Sequence, residues 1–313
     1  MSVDDGRAAT WEGNPVRSYH EQPVLKKPIW TWEIPTYFFT GGLGGASAGL
    51  AQLAELQGNG VLAHRAWTTA AAAAAVSPTL LISDLGRPKR FLNMLRMFKV
   101  SSPMSVGSWI LVAAGTCNAT VTLNAWTGAL PRLRQIAAPA GALLGLPMST
   151  YTAALVANTA VPAWHEARRE LPFVFASGAA LSAGAAALIT TPPAYAAPAR
   201  RLALGAVVCE MVSSMMMEHR LGEHARPYKE GLAGKLGWAR RLSMVAGAAM
   251  LHRRGESSHP AAAGAGSMLL AGALTKRWQV FRAGVQSATD PGNVIGPQRA
   301  AVERGEGHGA VRR

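Results

Sequence analysis

Long apolar stretches alternate with short polar segments over most of this chain. Eight such stretches lie at residues 33–57, 61–84, 103–127, 136–161, 171–191, 195–217, 235–252 and 261–281. A helix of about 20 apolar or small residues crosses a hydrocarbon core of about 30 Å, and each of the first six stretches has that length. The last two are weaker because they carry several cations, and we expect the long side chains of Lys276 and Arg277 to reach the membrane surface.

The segments that flank these stretches are polar. Residues 1–30 lack the apolar core of a cleavable signal peptide, so residues 1–32 are predicted to form a cytoplasmic tail. A second polar, glycine-rich tail is predicted at residues 286–313. The pattern therefore predicts an all-α integral membrane protein with about eight transmembrane helices. A six-span arrangement without the two weak stretches remains an alternative.

The positive charges predict how the chain is oriented. With eight spans both termini lie on one side, where 24 of the 31 lysine and arginine residues fall, against 7 on the other side. The positive-inside rule then places both termini in the cytoplasm. We assign the net charge of +14 to topology and to contacts with anionic membrane lipids, and we expect no nucleic-acid partner.

The chain has few residues that could hold a redox metal. An iron–sulfur cluster needs four thiolates, but Cys117 and Cys209 are the only cysteines. All eight histidines fall in tails or near the ends of spans, which does not suit a haem held between helices. We therefore expect no haem or iron–sulfur cluster in this chain.

Polar groups inside the apolar stretches remain as candidates for chemistry, because they are costly in lipid. Tyr151 lies ten residues from the end of its predicted span, a depth of about 15 Å at about 1.5 Å per residue. A buried phenol needs a partner, and a quinone carbonyl is a suitable one. Tyr37 and Glu33 would approach from the same leaflet. Asp84 closes the second stretch, where it is either a proton carrier or the partner of Arg87 in a salt bridge.

Several segments resemble the NrfD/PsrC family, the integral membrane subunits of polysulfide-reductase-like oxidoreductases. They are residues 30–45 (WTWEIPTYFFTGGLGG), 84–96 (DLGRPKRFLNMLR), 101–109 (SSPMSVGSW), 149–152 (STYT), 162–175 (PAWHEARRELPFVF), 278–281 (WQVF) and 290–291 (DP). The resemblance implies two four-helix bundles, which we assign to residues 33–161, with a putative quinone site, and residues 162–285.

The same resemblance implies a function in the bacterial inner membrane. Such a subunit docks an iron–sulfur, ferredoxin-like protein, here on the cytoplasmic face, and exchanges electrons between it and a quinone, menaquinone or ubiquinone. By analogy alone, a molybdenum or tungsten catalytic subunit such as formate dehydrogenase would complete the complex. Tyr151 matches the tyrosine that contacts the quinone in this family. Tyr37 is our second hydrogen-bonding candidate, and Glu33 and Asp84 are the candidate proton carriers.

One departure from the family pattern leaves alternatives open. Ile34 and Tyr37 stand where family members use an asparagine and a histidine at the quinone. A structural membrane anchor without a quinone site is therefore one alternative. The other is a small-ion transporter that uses Glu210 and the other polar residues within the membrane.

Overall fold

The computed structural model describes residues 10–11, 14–15, 28–87 and 89–290. Two short strands, β1 (Thr10–Trp11) and β2 (Asn14–Pro15), pair antiparallel. Everything else with regular structure in the described residues is helical. The α-helices are α1 (Glu33–Leu56), α2 (Gly60–Asp84), α3 (Arg90–Arg96), α4 (Pro103–Thr127), α5 (Pro131–Ala157), α6 (Pro162–Glu166), α7 (Leu171–Thr190), α8 (Ala197–Leu221), α9 (Arg226–Lys229), α10 (Gly231–Arg254) and α11 (His259–Thr289).

Each predicted apolar stretch overlaps one of the eight long helices among these described residues. Helix starts are set by local chemistry: Asn59 accepts a hydrogen bond from the backbone of Leu62 at the start of α2, and Ser258 does the same for α11. Gly128 ends α4 in a left-handed conformation. The short helix α3 lies in the polar segment between the second and third apolar stretches and was not predicted. The C-terminal tail begins later than predicted, because α11 continues to Thr289. Most of the remaining residues of the two predicted tails lie outside the described residues.

Five helical stretches in the described chain are both long and apolar enough to cross a membrane. They are α2, α4, α5, α7 and the stretch Ala197–Lys229, which contains α8 and α9. Helices α1, α10 and α11 have the length but are more polar. For α10 and α11 this agrees with the weaker sequence signal. For α1 the prediction was too strong, because its glycines add little hydropathy and Glu33, Gln52 and Glu55 lie within it.

Helices α1, α2, α4 and α5 pack around one another, and we call them the N-terminal group. Glycines of α1 bring the other helices close. A Cβ atom at Gly44 would lie 3.2 Å from the Cβ of Ala73 on α2, and one at Gly45 would lie 2.5 Å from the carbonyl oxygen of Gly145 on α5. These close approaches are typical of small residues at helix contacts in membrane proteins.

Helices α7, α8, α10 and α11 form a second set, the C-terminal group, in which α7 packs on α8 and α11, and α10 packs on α11. Gly184 permits the close approach of α7 to α8, since a Cβ there would lie 2.9 Å from the backbone nitrogen of Ala203. Helix α7 also packs on α1 and α5 and so joins the two groups.

One sequence prediction about the C-terminal group is wrong. Lys276 and Arg277 do not extend to the membrane surface, because they lie inside the packed helices with 1% and 2% of their surface exposed. Arg277 instead donates a hydrogen bond of 2.7 Å to the carbonyl oxygen of Phe175 and lies 3.8 Å from the centre of that ring. Its guanidinium is therefore held by a backbone acceptor and an aromatic face within the protein.

Candidate functional site

Two tyrosines predicted as quinone ligands are in contact inside the N-terminal group. The ring centres of Tyr37 on α1 and Tyr151 on α5 lie 6.4 Å apart, edge to face at an interplanar angle of 66°. Tyr37 is 1% exposed and Tyr151 is half-buried. Neither phenol oxygen has a hydrogen-bond partner among the residues that the structure describes, so each remains free to donate to a ligand.

A glycine makes room for one of these rings. A Cβ atom placed on Gly107 of α4 would lie 2.1 Å from the Cε2 atom of Tyr151, so the ring occupies the space that any larger residue would fill. Sequence reasoning missed this role. The available signal was the position of Gly107 within the SSPMSVGSW segment, at the start of an apolar stretch.

The tyrosine pair is shallower than the sequence suggested. Helix α5 ends at Ala157, six residues beyond Tyr151, so the phenol lies about 9 Å from that helix end rather than about 15 Å. Tyr37 lies four residues after the start of α1, about 6 Å along its axis. Both rings therefore lie near the same end of the N-terminal group.

The two carboxylates predicted as proton carriers are also brought together. The hydroxyl of Thr31 contacts Oε2 of Glu33 and lies 3.2 Å from Oδ1 of Asp84, which also accepts a 3.3 Å hydrogen bond from the backbone nitrogen of Thr31. A hydroxyl has one proton to donate, so it satisfies one of these carboxylates at a time. Both carboxylates are partly exposed, at the end of α1 where the tyrosines lie.

The described structure does not have the salt bridge between Asp84 and Arg87 that was the alternative to a proton-carrying role. Among the described residues Asp84 bonds to Thr31, and no ion pair joins it to Arg87. Thr31 was not singled out from the sequence, because nothing in the linear pattern shows that a residue just before α1 reaches the last residue of α2. The carboxylates lie one helical turn from Tyr37, since Glu33 and Tyr37 are four residues apart on α1.

Glu210, the candidate for ion transport, is engaged elsewhere. It is fully buried on α8, where it forms an ion pair of 2.5 Å with Arg240 on α10 and accepts a 3.0 Å hydrogen bond from Ser214. Arg240, one of the 24 cations counted on the cytoplasmic side, is 1% exposed and therefore lies inside the packed helices rather than in a loop. A buried ion pair of this kind is typical of a fixed structural contact between two helices.

The described residues offer few metal ligands close to one another. In those residues no three histidine, cysteine, aspartate or glutamate side chains are grouped to hold a metal ion. Cys117 is half-buried and Cys209 is exposed, on separate helices. The phenols of the tyrosine pair can donate hydrogen bonds.

These features define a helical membrane protein with a polar site near one end of its N-terminal group. Residues 18–216 match the family described as polysulphide reductase, NrfD. The match covers more than half of the chain, which therefore belongs to that family of membrane subunits of oxidoreductase complexes. Helices α10 and α11, with residues 278–281 and 290–291 of the quoted resemblance, lie outside the match. No curated protein matches the sequence.

Proposed function

We propose that this protein is the quinone-reactive membrane subunit of a multi-subunit oxidoreductase. Electrons pass between an iron–sulfur subunit bound at the cytoplasmic face and a quinone of the membrane pool, menaquinone or ubiquinone. The observation that carries this proposal is the contact between Tyr37 and Tyr151, whose phenol oxygens have no protein partner in the described structure. Family membership supports it, because the family comprises quinone-interacting membrane subunits.

The two phenols suit a quinone better than a charged ligand. A quinone carbonyl accepts hydrogen bonds, and both phenols can donate them. Within the N-terminal group no buried side chain among the described residues carries a charge, so an uncharged ring is favoured there. Ile34 is 3% exposed and apolar, so it offers packing rather than a hydrogen bond at the position where the family uses asparagine.

Entry of a quinone requires Tyr151 to move. Ring centres 6.4 Å apart leave no room for a third aromatic ring between them, since stacked rings alone need about 4.5–7 Å from centre to centre. Tyr151 is the mobile member, because it is half-buried whereas Tyr37 is enclosed. Rotation of Tyr151 away from Gly107 opens the space over that glycine for a quinone ring.

Proton exchange is assigned to Glu33 and Asp84. Quinone reduction takes up two protons with two electrons, and these carboxylates lie at the solvent-accessible end of the site. The Thr31 hydroxyl bridges them, so a proton can pass between their oxygens without either side chain leaving its place. Tyr37, one helical turn further along α1, is the nearest proposed donor to the quinone.

We further propose that all eight long helices span the membrane as two four-helix bundles, the N-terminal and C-terminal groups, with both termini cytoplasmic. Burial of Arg240, Lys276 and Arg277 within helices removes three cations from the loop count of 24, which leaves 21 against 7. The bias still favours the same orientation. Reporter fusions within residues 85–102 and after Arg313 are expected to report cytoplasm, and a periplasmic signal from either would contradict the orientation.

The docking face is assigned to the segment between α2 and α4. It carries five cations within residues 85–102, and its apolar side chains are unusually exposed, with Leu92 at 64%, Phe98 at 61% and Val100 at 77%. An apolar patch with a basic rim is typical of a protein interface. The partner expected there is an iron–sulfur subunit, with a molybdenum or tungsten subunit beyond it by analogy.

Photolabelling tests the quinone site. A photoreactive quinone analogue, applied to the complex in membranes, is expected to label α1 and α5 around Tyr37 and Tyr151, and excess quinone should displace it. Label confined to the C-terminal group would place the site elsewhere. Absence of displaceable label would favour the structural anchor without a quinone site.

A further inference from the structure

A cavity lies between the two helix groups, away from the tyrosine pair. It has a volume of about 720 Å³ and is bounded by α1, α5, α7 and α8. Along α1 it extends from Gly45 to Gln57, a length of about 18 Å at about 1.5 Å per residue. It therefore runs from the middle of the helices to the end opposite Tyr37.

The walls of this cavity are apolar, and one end of it is polar and carries a positive charge. Gly49, Leu50 and Leu146 are typical of the walls, whereas Gln57 and Arg201 lie at the end of α1 and the start of α8. The neighbouring Arg200 forms an ion pair with Glu256, but Arg201 has no ion pair within the described part of the chain. An exposed, uncompensated guanidinium therefore stands over an apolar cleft.

The hydroxyl groups that line the cavity are not available to a ligand. The hydroxyl of Ser149 donates a 2.8 Å hydrogen bond to the carbonyl oxygen of Gly145, and that of Thr150 donates to Leu146 at 3.3 Å. Both lining hydroxyl protons are thus engaged by the helix backbone, which leaves no hydroxyl donor for a quinone carbonyl. A ligand with a long apolar chain and a negative head group matches the remaining features.

We propose that this cavity binds one anionic phospholipid, with an acyl chain between the helix groups and its phosphate on Arg201 and Gln57. Basic pockets between transmembrane helices recognise lipid head groups in this way. The lipid lies against α1, α5, α7 and α8, which all contribute residues to the cavity lining. The bound lipid therefore belongs to the interface between the two helix groups and not to the quinone site.

Gly49 provides a selective way to block the acyl chain. It lines the cavity, and a Cβ atom there would meet nothing within 4 Å, so Gly49→Leu fills the space without striking the backbone. Gly205 on α8 is the matched control, because it too has no atom within 4 Å of a Cβ but lies outside the cavity lining. Leucine is a better helix former than glycine, so both variants should fold.

The test is native mass spectrometry of the delipidated full-length protein, titrated with phosphatidylglycerol, phosphatidylethanolamine or menaquinone. The wild type is expected to bind one phosphatidylglycerol about fivefold more tightly than phosphatidylethanolamine, the factor expected from one arginine at a membrane surface. Gly49→Leu should weaken both phospholipids by about tenfold or more. Gly205→Leu should bind as the wild type does.

Arg201 is tested separately from the cavity. Arg201→Gln should remove the preference for phosphatidylglycerol while it leaves phosphatidylethanolamine binding in place, and Arg132→Gln, an exposed cation at the same end of the helices, should keep the preference. Unchanged lipid binding in Gly49→Leu would overturn the proposal. Menaquinone that binds more tightly than phosphatidylglycerol and is lost in Gly49→Leu would also overturn it.

Discussion

The two helix groups bury different kinds of polar residue. The buried polar side chains of the N-terminal group are uncharged in the described structure, as with Ser77 and Asn118. In the C-terminal group the buried set includes charged side chains, namely Glu210, Glu218, Arg240, Lys276 and Arg277. A neutral interior near free phenols suits an uncharged redox ligand, whereas buried charges suit fixed ties between helices.

Glycines allow close approach of helix backbones in both groups, as at Gly45 and Gly145 in the N-terminal group and at Gly184 in the C-terminal group. In the C-terminal group long side chains cross between helices, and Gln279 of α11 donates a 3.1 Å hydrogen bond to the carbonyl oxygen of Tyr228. We infer that the C-terminal group is the rigid support and that movement at the quinone site is confined to side chains such as Tyr151.

The largest expected effect comes from breaking the buried ion pair. Glu210→Gln leaves the guanidinium of Arg240 without its counter-charge, which should lower the free energy of unfolding by about 3–5 kcal/mol. Thermal unfolding of the purified protein in detergent measures this. The control is Glu230→Gln, whose partner Arg226 is exposed, and little change is expected there.

A double variant separates the ion pair from general packing. Glu210→Gln with Arg240→Met removes both charges, so much of the lost stability should return. If Glu210→Gln unfolds at the same temperature as Glu230→Gln, the contrast between the two groups has no energetic basis.

Part of this contrast could be predicted from the sequence. The eight long helices follow from apolar runs, because helix length and hydropathy are local properties. The contact role of the glycine cluster at residues 41–45 was also predictable, since small residues in apolar helices serve close packing. Tyr37 and Tyr151 were assigned to the same leaflet from their positions in the predicted spans, and the family resemblance added support for Tyr151 as a quinone contact.

The remaining features depend on how distant segments pack. Glu210 and Arg240 are 30 residues apart, and nothing in the linear pattern shows that one neutralises the other inside the protein. The bridge from Thr31 to Asp84 spans 53 residues and is equally hidden. For the same reason, buried cations were mistaken for loop charges.

A smaller effect is expected at the proton-carrying end of the N-terminal group. Glu33→Gln removes one of the two carboxylates at Thr31, so quinone-linked turnover should slow, and by a larger factor at high pH, where protons are scarce. Rates of the intact complex across a pH series measure this. Glu223→Gln changes an exposed carboxylate away from the site and serves as control. Equal slowing at all pH values would reduce Glu33 to a structural role.

The central claim is that the phenols near Gly107 bind a quinone, and Tyr151→Phe tests it most directly. This change removes one hydrogen-bond donor and keeps the ring over the glycine, so assembly with the iron–sulfur partner should persist. Quinone-linked turnover of the reconstituted complex should fall by about 10²-fold or less, since loss of one transition-state donor costs at most about 10³-fold. Tyr195→Phe, at the opposite end of the helices, should change little. Full turnover in Tyr151→Phe would contradict the account.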